Sequence, residues 1–244
     1  MTDALVARED RDGVTTLTLN RPDKLNALHE GVFADLRAHL EDLAKSVPRC
    51  LVLTGAGRSF CAGHDLTALA SGDAEGSRHF EAETVDLLES FPCPTIAKIR
   101  GHCLTGGLEL ALGCDLLVAT ESASLGDTHG KWGLVPVWGM SVRLPERVGM
   151  SRAKELSWTS RRIDGPTALR YGLVDHCVPD DGLDVAVEAL AAEIVANSPG
   201  TNAIYKKLYA DTATSGRRAA LAAERELPHG LPDDIAERLG RSGG

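Results

Sequence analysis

No run of about 18 apolar residues occurs in this sequence, so no membrane-spanning helix is expected. The opening MTDALVARED carries charges where a secretory leader needs an apolar stretch, and the expected location is cytoplasmic. Paired cysteine spacing is also lacking. Cys50, Cys61, Cys93, Cys103, Cys114 and Cys177 form no CxxC pair and sit mostly in apolar segments, as buried reduced thiols do. Positive charge is scarce: 26 Lys and Arg against 35 Asp and Glu give a net charge of −9, which excludes a general nucleic-acid surface. A few local cations can still hold a phosphate. Gly55-Ala56-Gly57 and Gly106-Gly107 do not complete GxGxxG, and GxxxxGK[ST], GxSxG and HExxH do not occur. Nicotinamide, flavin, nucleotide hydrolysis and a zinc site are not expected, and no metal ligand set is assigned.

What is present is an ordinary globular composition, 43% hydrophobic and 25% charged over 244 residues, enough for one large domain or a domain with a small appendage. Leu5–Arg8 and Val14–Leu19 read as a hairpin around the turn-rich Glu-Asp-Arg-Asp-Gly. Val32, Phe33, Leu36, Leu40 and Leu43 have helical spacing. Strands are predicted over 50–54, 95–99 and 116–119, helices over 76–90 and 106–112, and a loop between Gly101 and Gly106. Strands alternating with helices indicate an α/β fold. After residue 181 only helix-prone stretches remain, near 182–197, 200–213, 217–226 and 232–240. The expected organisation is an α/β unit over 1–180 and a helical region over 181–244.

The stretch Gly101-His102-Cys103-Leu104-Thr105-Gly106-Gly107-Leu108-Glu109-Leu110-Ala111-Leu112 bears most on chemistry. Consecutive glycines at a helix start let backbone approach a ligand closely, and the first N–H groups of the helix form a donor site for negative charge. Glu109 lies about one turn on, in a helix apolar nearly all round. Its carboxylate either faces a cavity or partner, or the helix leaves it solvated or in a structural ion pair. Ser59–Leu66 follows a strand's carboxyl end, where α/β ligand loops lie. Taken alone, His64 in that loop reads as a packed or surface histidine.

Taken together and in order, Asn20-Arg21-Pro22, Asn26-Ala27-Leu28, Leu51–Gly55, Phe60-Cys61-Ala62-Gly63-His64-Asp65-Leu66, Gly106-Gly107-Leu108-Glu109-Leu110-Ala111, Cys114-Asp115, Gly133-Leu134-Val135-Pro136 and Ala168–Asp175 resemble the crotonase, or enoyl-CoA hydratase/isomerase, superfamily. The resemblance implies a crotonase-like spiral of ββα turns with a C-terminal helical trimerisation region, assembled as a homotrimer or a dimer of trimers. It implies an acyl-CoA substrate, with coenzyme A part of the substrate and no separate cofactor. The thioester oxygen would be held by the backbone N–H groups of His64 and Gly106, which stabilise the enolate-like charge that develops there. Lys24, Leu25 and Ala27 would flank the CoA chain with Ala62, Asp65, Leu66 and Gly107. Arg21 and Lys24 would reach phosphates, or remain solvated charges beside a turn.

Hydratases of this family use two glutamates. Glu109 falls on the first position and His129 on the second, so the acid–base pair is expected to be Glu109 with His129. The alternative is that Asp127 supplies the second carboxylate from a shifted backbone. The leading expectation is hydration of a 2-enoyl-CoA, or its reverse. Double-bond isomerisation, malonyl-type decarboxylation suggested by Ala62-Gly63-His64-Asp65, and acyl-CoA binding without turnover are the competing readings. Acyl-pocket walls are expected from 66–90 and 131–144, with Trp132 and Trp138 either lining them or packed in a core or subunit contact.

Overall fold

A computed structural model describes residues 4–66 and 74–241. The chain opens with an antiparallel hairpin, β1 (Val6–Arg11) and β2 (Val14–Leu19). The first strand runs past the expected Arg8. Glu9, Asp10 and Arg11 pair with Thr16, Thr15 and Val14, and only Asp12-Gly13, both at positive φ, make the turn. Helix α1 (Glu30–Leu43) buries the five apolar residues whose spacing marks it, Val32, Phe33, Leu36, Leu40 and Leu43. Each contributes about 1.5–3 kcal/mol of burial.

Four further strands join β2 in parallel: β3 (Cys50–Gly55), β4 (Thr95–Ile99), β6 (Leu116–Thr120) and β8 (His176–Val178). The main sheet has the order β1-β2-β3-β4-β6-β8. β3 is buried throughout, as parallel strands covered on both faces are. Helix α2 (Ala74–Glu89) follows β3. Residues 67–73, part of the expected acyl-pocket wall, lie outside the described residues.

The expected loop after Gly101 is a strand. β5 (His102–Leu104) pairs in parallel with β7 (Ser124–Gly126), forming a second small sheet. Three residues are too few for a periodicity signal, and their partner is distant in sequence. An isolated bridge, Cys61 to Cys103, brings a third segment alongside. Successive turns of the chain therefore each place a strand in the main sheet and a short extended segment in the small one. This is the ββα spiral. The row Cys61, Cys103, Leu125 crosses three such turns in register.

Short helices close the turns: α3 (Gly106–Leu112), α4 (His129–Trp132), α5 (Met140–Val148), α6 (Met150–Thr159) and α7 (Gly165–Tyr171). The C-terminal helices are α8 (Leu183–Ala196), α9 (Pro199–Thr214), α10 (Arg217–Arg225) and α11 (Ile235–Arg241). Packing crosses the sequence boundary near 181, because Leu183, Val187 and Ala191 of α8 pack with Cys50, Val52, Ile96 and Val118. By contrast, α9 and α10 bury no residue in the single chain. All six cysteines are unpaired, and burial pushes the Cys50, Cys61, Cys93 and Cys114 thiols up to about 12. No helix among the described residues is long and apolar enough to cross a membrane.

Candidate active site

The row Cys61–Cys103–Leu125 positions three loops. Three residues beyond it stand His64, Gly106 and Thr128, with His129 next. Backbone bonds hold the first two arms together: the Cys61 N–H donates to the His102 carbonyl at 2.8 Å and the Leu104 N–H to the Cys61 carbonyl at 3.1 Å. Approach is so close that a Cβ at Gly107 would lie 2.6 Å from the Cys61 oxygen, and one at Gly63 would lie 3.1 Å from the Leu104 oxygen. Glycine is required at 107 for that contact. Among the described residues, neither the His64 nor the Gly106 backbone N–H has a backbone acceptor. Thr105, which precedes Gly106, holds φ at 53° and shares a hydrogen bond between its hydroxyl and that of Thr128, tying the second arm to the third.

These arms face a cleft of about 440 Å³. Its wall includes Glu109, His129, His64, Gly106, Lys24, Leu25, Ala27, Ala62, Asp65 and Leu66. Arg21 and Gly107 are not on it. Gly107 lies behind the wall against Cys61. The Arg21 guanidinium turns inward, donating to the Ala27 carbonyl and, at 3.0 Å, to Asp65. That places Arg21 as a brace between the 24–28 segment and the 62–65 loop. The two segments also exchange backbone bonds, Leu28 N–H to Gly63 oxygen at 2.9 Å and Asp65 N–H to Leu28 oxygen at 2.7 Å.

Glu109 is 1% exposed. Oε1 accepts the backbone N–H groups of Trp138 at 3.0 Å and Met140 at 3.1 Å, while Oε2 lies 3.5 Å from His129 Nε2. Burial raises the Glu109 carboxyl above its ordinary value of 4.5, with the His129 charge and the two amides opposing. On the far side of the ring, His129 Nδ1 is 2.7 Å from Asp127 Oδ1, which also accepts the His129 N–H at 3.1 Å. Three buried ionisable groups thus stand in line: Asp127, His129, Glu109.

The model of the family described as enoyl-CoA hydratase/isomerase matches residues 9–241. The chain belongs to this family. It is 37% identical over 206 residues to enoyl-CoA hydratase EchA19 of Mycobacterium tuberculosis, covering 81% of this chain and 76% of that one. A crystal structure of enoyl-CoA hydratase from Bacillus anthracis superposes with a TM-score of 0.92 at 32% identity, covering 97% and 95% of the two chains. A Thermobifida fusca structure in complex with CoA gives 0.82 at 27% identity, covering 91% of each. The fold expectation of a crotonase-type α/β architecture therefore holds, and the chain is an enzyme of the enoyl-CoA hydratase/isomerase family.

Several features of this family member are not visible in its motifs. The clamp on Glu109 comes from Trp138 and Met140, about thirty residues away, and backbone donors leave no residue-type signal. Asn26, at φ 56°, is a buried staple: its side chain accepts the Arg21 N–H and donates to the Ala56 and Ser59 carbonyls. Trp138 is buried, edge-on to Phe33 and 5.4 Å from the His64 ring, and it also lines the cleft. Trp132, half exposed, lines it too. Arg162 and His102 also lie on the wall. Burial first, then the Arg162 and Arg58 charges, hold the His102 ring below its ordinary value.

Proposed function

We propose that the enzyme adds water across the 2,3-double bond of a 2-enoyl-CoA, giving the 3-hydroxyacyl-CoA, and catalyses the reverse. The observation that carries this reading is the Glu109 Oε2–His129 Nε2 pair, 3.5 Å apart on the cleft wall that His64 and Gly106 also line. A water about 2.8 Å from each would sit at the apex of that pair. Glu109 as carboxylate takes one proton from the water, and the water oxygen bonds to C3. Electron density moves to the thioester oxygen, where the His64 and Gly106 N–H groups stabilise it. A proton on His129 Nε2 then passes to C2. The net change is addition of H and OH, with no redox partner required.

Support for CoA thioesters as the substrate class comes from the family match and from the bound CoA of the Thermobifida fusca structure. We further infer a cytoplasmic homotrimer or dimer of trimers. Exposed Tyr205, Tyr209 and Leu221 on α9 and α10 supply apolar surface for such an assembly, and light scattering in solution checks it.

The test follows the loss of enoyl absorbance with crotonyl-CoA and longer enoyl-CoAs. Wild-type protein should consume them, and Glu109→Ala should not. Turnover surviving in Glu109→Ala would overturn the role of Glu109. Migration of a 3-enoyl double bond or CO₂ release from a malonyl-type thioester, without hydration, would replace the reading.

A further inference from the structure

The hydration reading uses Glu109 and His129 and leaves the third buried group in line unexplained. Asp127 stands two residues before His129, where β7 ends and α4 begins. It is 3% exposed and His129 is 8% exposed. One oxygen, Oδ1, meets both the backbone N–H and Nδ1 of His129. A carboxylate that accepts two bonds from one residue fixes that residue's ring in place. Burial by itself would raise the Asp127 carboxyl. Hydrogen bonds from the His129 ring, Ser157 and the His129 amide outweigh it and hold the group below its ordinary value of 3.8. Asp127 is therefore an ionised acceptor with no proton to give. The proton between Asp127 and the ring must then sit on Nδ1.

This has a consequence at the other ring nitrogen. With Nδ1 protonated, Nε2 of the neutral ring is an acceptor, and it points at Glu109 Oε2. The other Glu109 oxygen is occupied by the Trp138 and Met140 amides, so Oε2 is the oxygen left to exchange protons. We propose that Asp127 is a positioning residue that locks the Nδ1–H form of His129, so that Nε2 and Glu109 Oε2 share one proton and act as a single acid–base unit. In that arrangement a histidine replaces the family's second glutamate without loss of a proton carrier. The proton taken up by one member in the forward step is returned by the other. The proposal rests on the hydration reading for its kinetic effect, but the tautomer does not depend on which thioester turns over.

The test is made on the full-length protein. Long-range proton–nitrogen correlation spectra of ¹⁵N-histidine-labelled protein, with the His129 signals assigned by their loss in His129→Gln, report which ring nitrogen carries the proton. The wild type should show the Nδ1–H form. In Asp127→Asn the amide NH₂ can face Nδ1, and the Nε2–H form should appear. Its kcat should fall on the order of 10²-fold or more while KM stays within about threefold. Asp127→Glu, which keeps an ionised acceptor, should recover part of the lost rate and the Nδ1–H form. A wild-type ring with no proton on Nδ1 would overturn the proposal even if the variants do not fold. So would an Asp127→Asn protein with wild-type tautomer and rate. Failure of hydration with the Nδ1–H form intact would overturn the hydration reading and leave the positioning role standing.

Discussion

Arg143 donates through Nη1 to the carbonyl oxygen of Trp138 at 2.6 Å, on the same residue whose N–H holds Glu109. Its Nη2 bonds Asp86 and Glu89 of α2, each at 2.6 Å. A buried guanidinium thus pins the 138–140 turn from behind, with Gly139 held at φ 100° against it. Arg143→Ala frees that turn and leaves the Trp138 carbonyl unpaired. The expected result is a loss of about 1–3 kcal/mol in denaturant unfolding and a fall in kcat larger than the rise in KM. An unchanged kcat in a folded variant would show that the Glu109 clamp needs no such support.

Glu109 gives a stability prediction opposite in sign to its effect on activity. Its folded value is raised, so its contribution to stability is full below the ordinary 4.5 and is lost as pH rises through the raised folded value. Glu109→Gln keeps the oxygen that the amides of Trp138 and Met140 bind but cannot ionise. It should melt higher than wild type at pH 8, with the difference shrinking as pH falls toward 4.5. Activity should drop on the order of 10²–10⁴-fold. Thermal melts across pH measure this, and a lower midpoint for Glu109→Gln at pH 8 would contradict it.

Gly107 and Gly130 offer a paired comparison. A methyl group at 107 meets backbone and side-chain atoms of Cys61 at 2.6–2.9 Å, whereas one at 130 finds its nearest neighbour, the Ser160 hydroxyl, at 3.3 Å. Gly107→Ala should destabilise by about 1–3 kcal/mol or prevent folding, and it should disturb the Cys61–His64 arm. Gly130→Ala should fold with near wild-type stability. Equal midpoints in chemical denaturation would refute the close-approach argument.

Lys24 and Arg21 separate in function although they are close in sequence. Lys24 lines the cleft, while Arg21 is committed to Ala27 and Asp65. Lys24→Ala should raise KM for a CoA thioester severalfold with kcat unchanged, an effect that added salt reduces. Arg21→Ala should instead lower the melting temperature and impair both constants, through the loosened 62–65 loop. Steady-state kinetics at two salt concentrations distinguish the two.

The long elements were legible because periodicity and breakers mark them. α1 carries its apolar stripe, and the strand over 95–99 and the helix over 106–112 fall where their residues place them. β5 and β7 were not, since three residues cannot show a period and their pairing is set by the spiral. At the site, glycines and Glu109 stood out by residue type. The Trp138 and Met140 amides did not, because every residue has one. In the sequence Asp127 reads as a carboxylate that could stand in for a missing glutamate. In the fold it faces the histidine ring.

The in-register row Cys61, Cys103, Leu125 also governs how this scaffold can diversify. Each arm of the site is only three or four residues long, and bonds such as that between the Thr105 and Thr128 hydroxyls tie the arms together, so an insertion or deletion there would displace a reacting group by a whole residue step of about 3.3 Å. Point replacement at an arm's tip leaves the other two arms where they were. A different side chain at 129 would therefore change the reacting group while Glu109 and the His64 and Gly106 positions keep their places on the cleft wall.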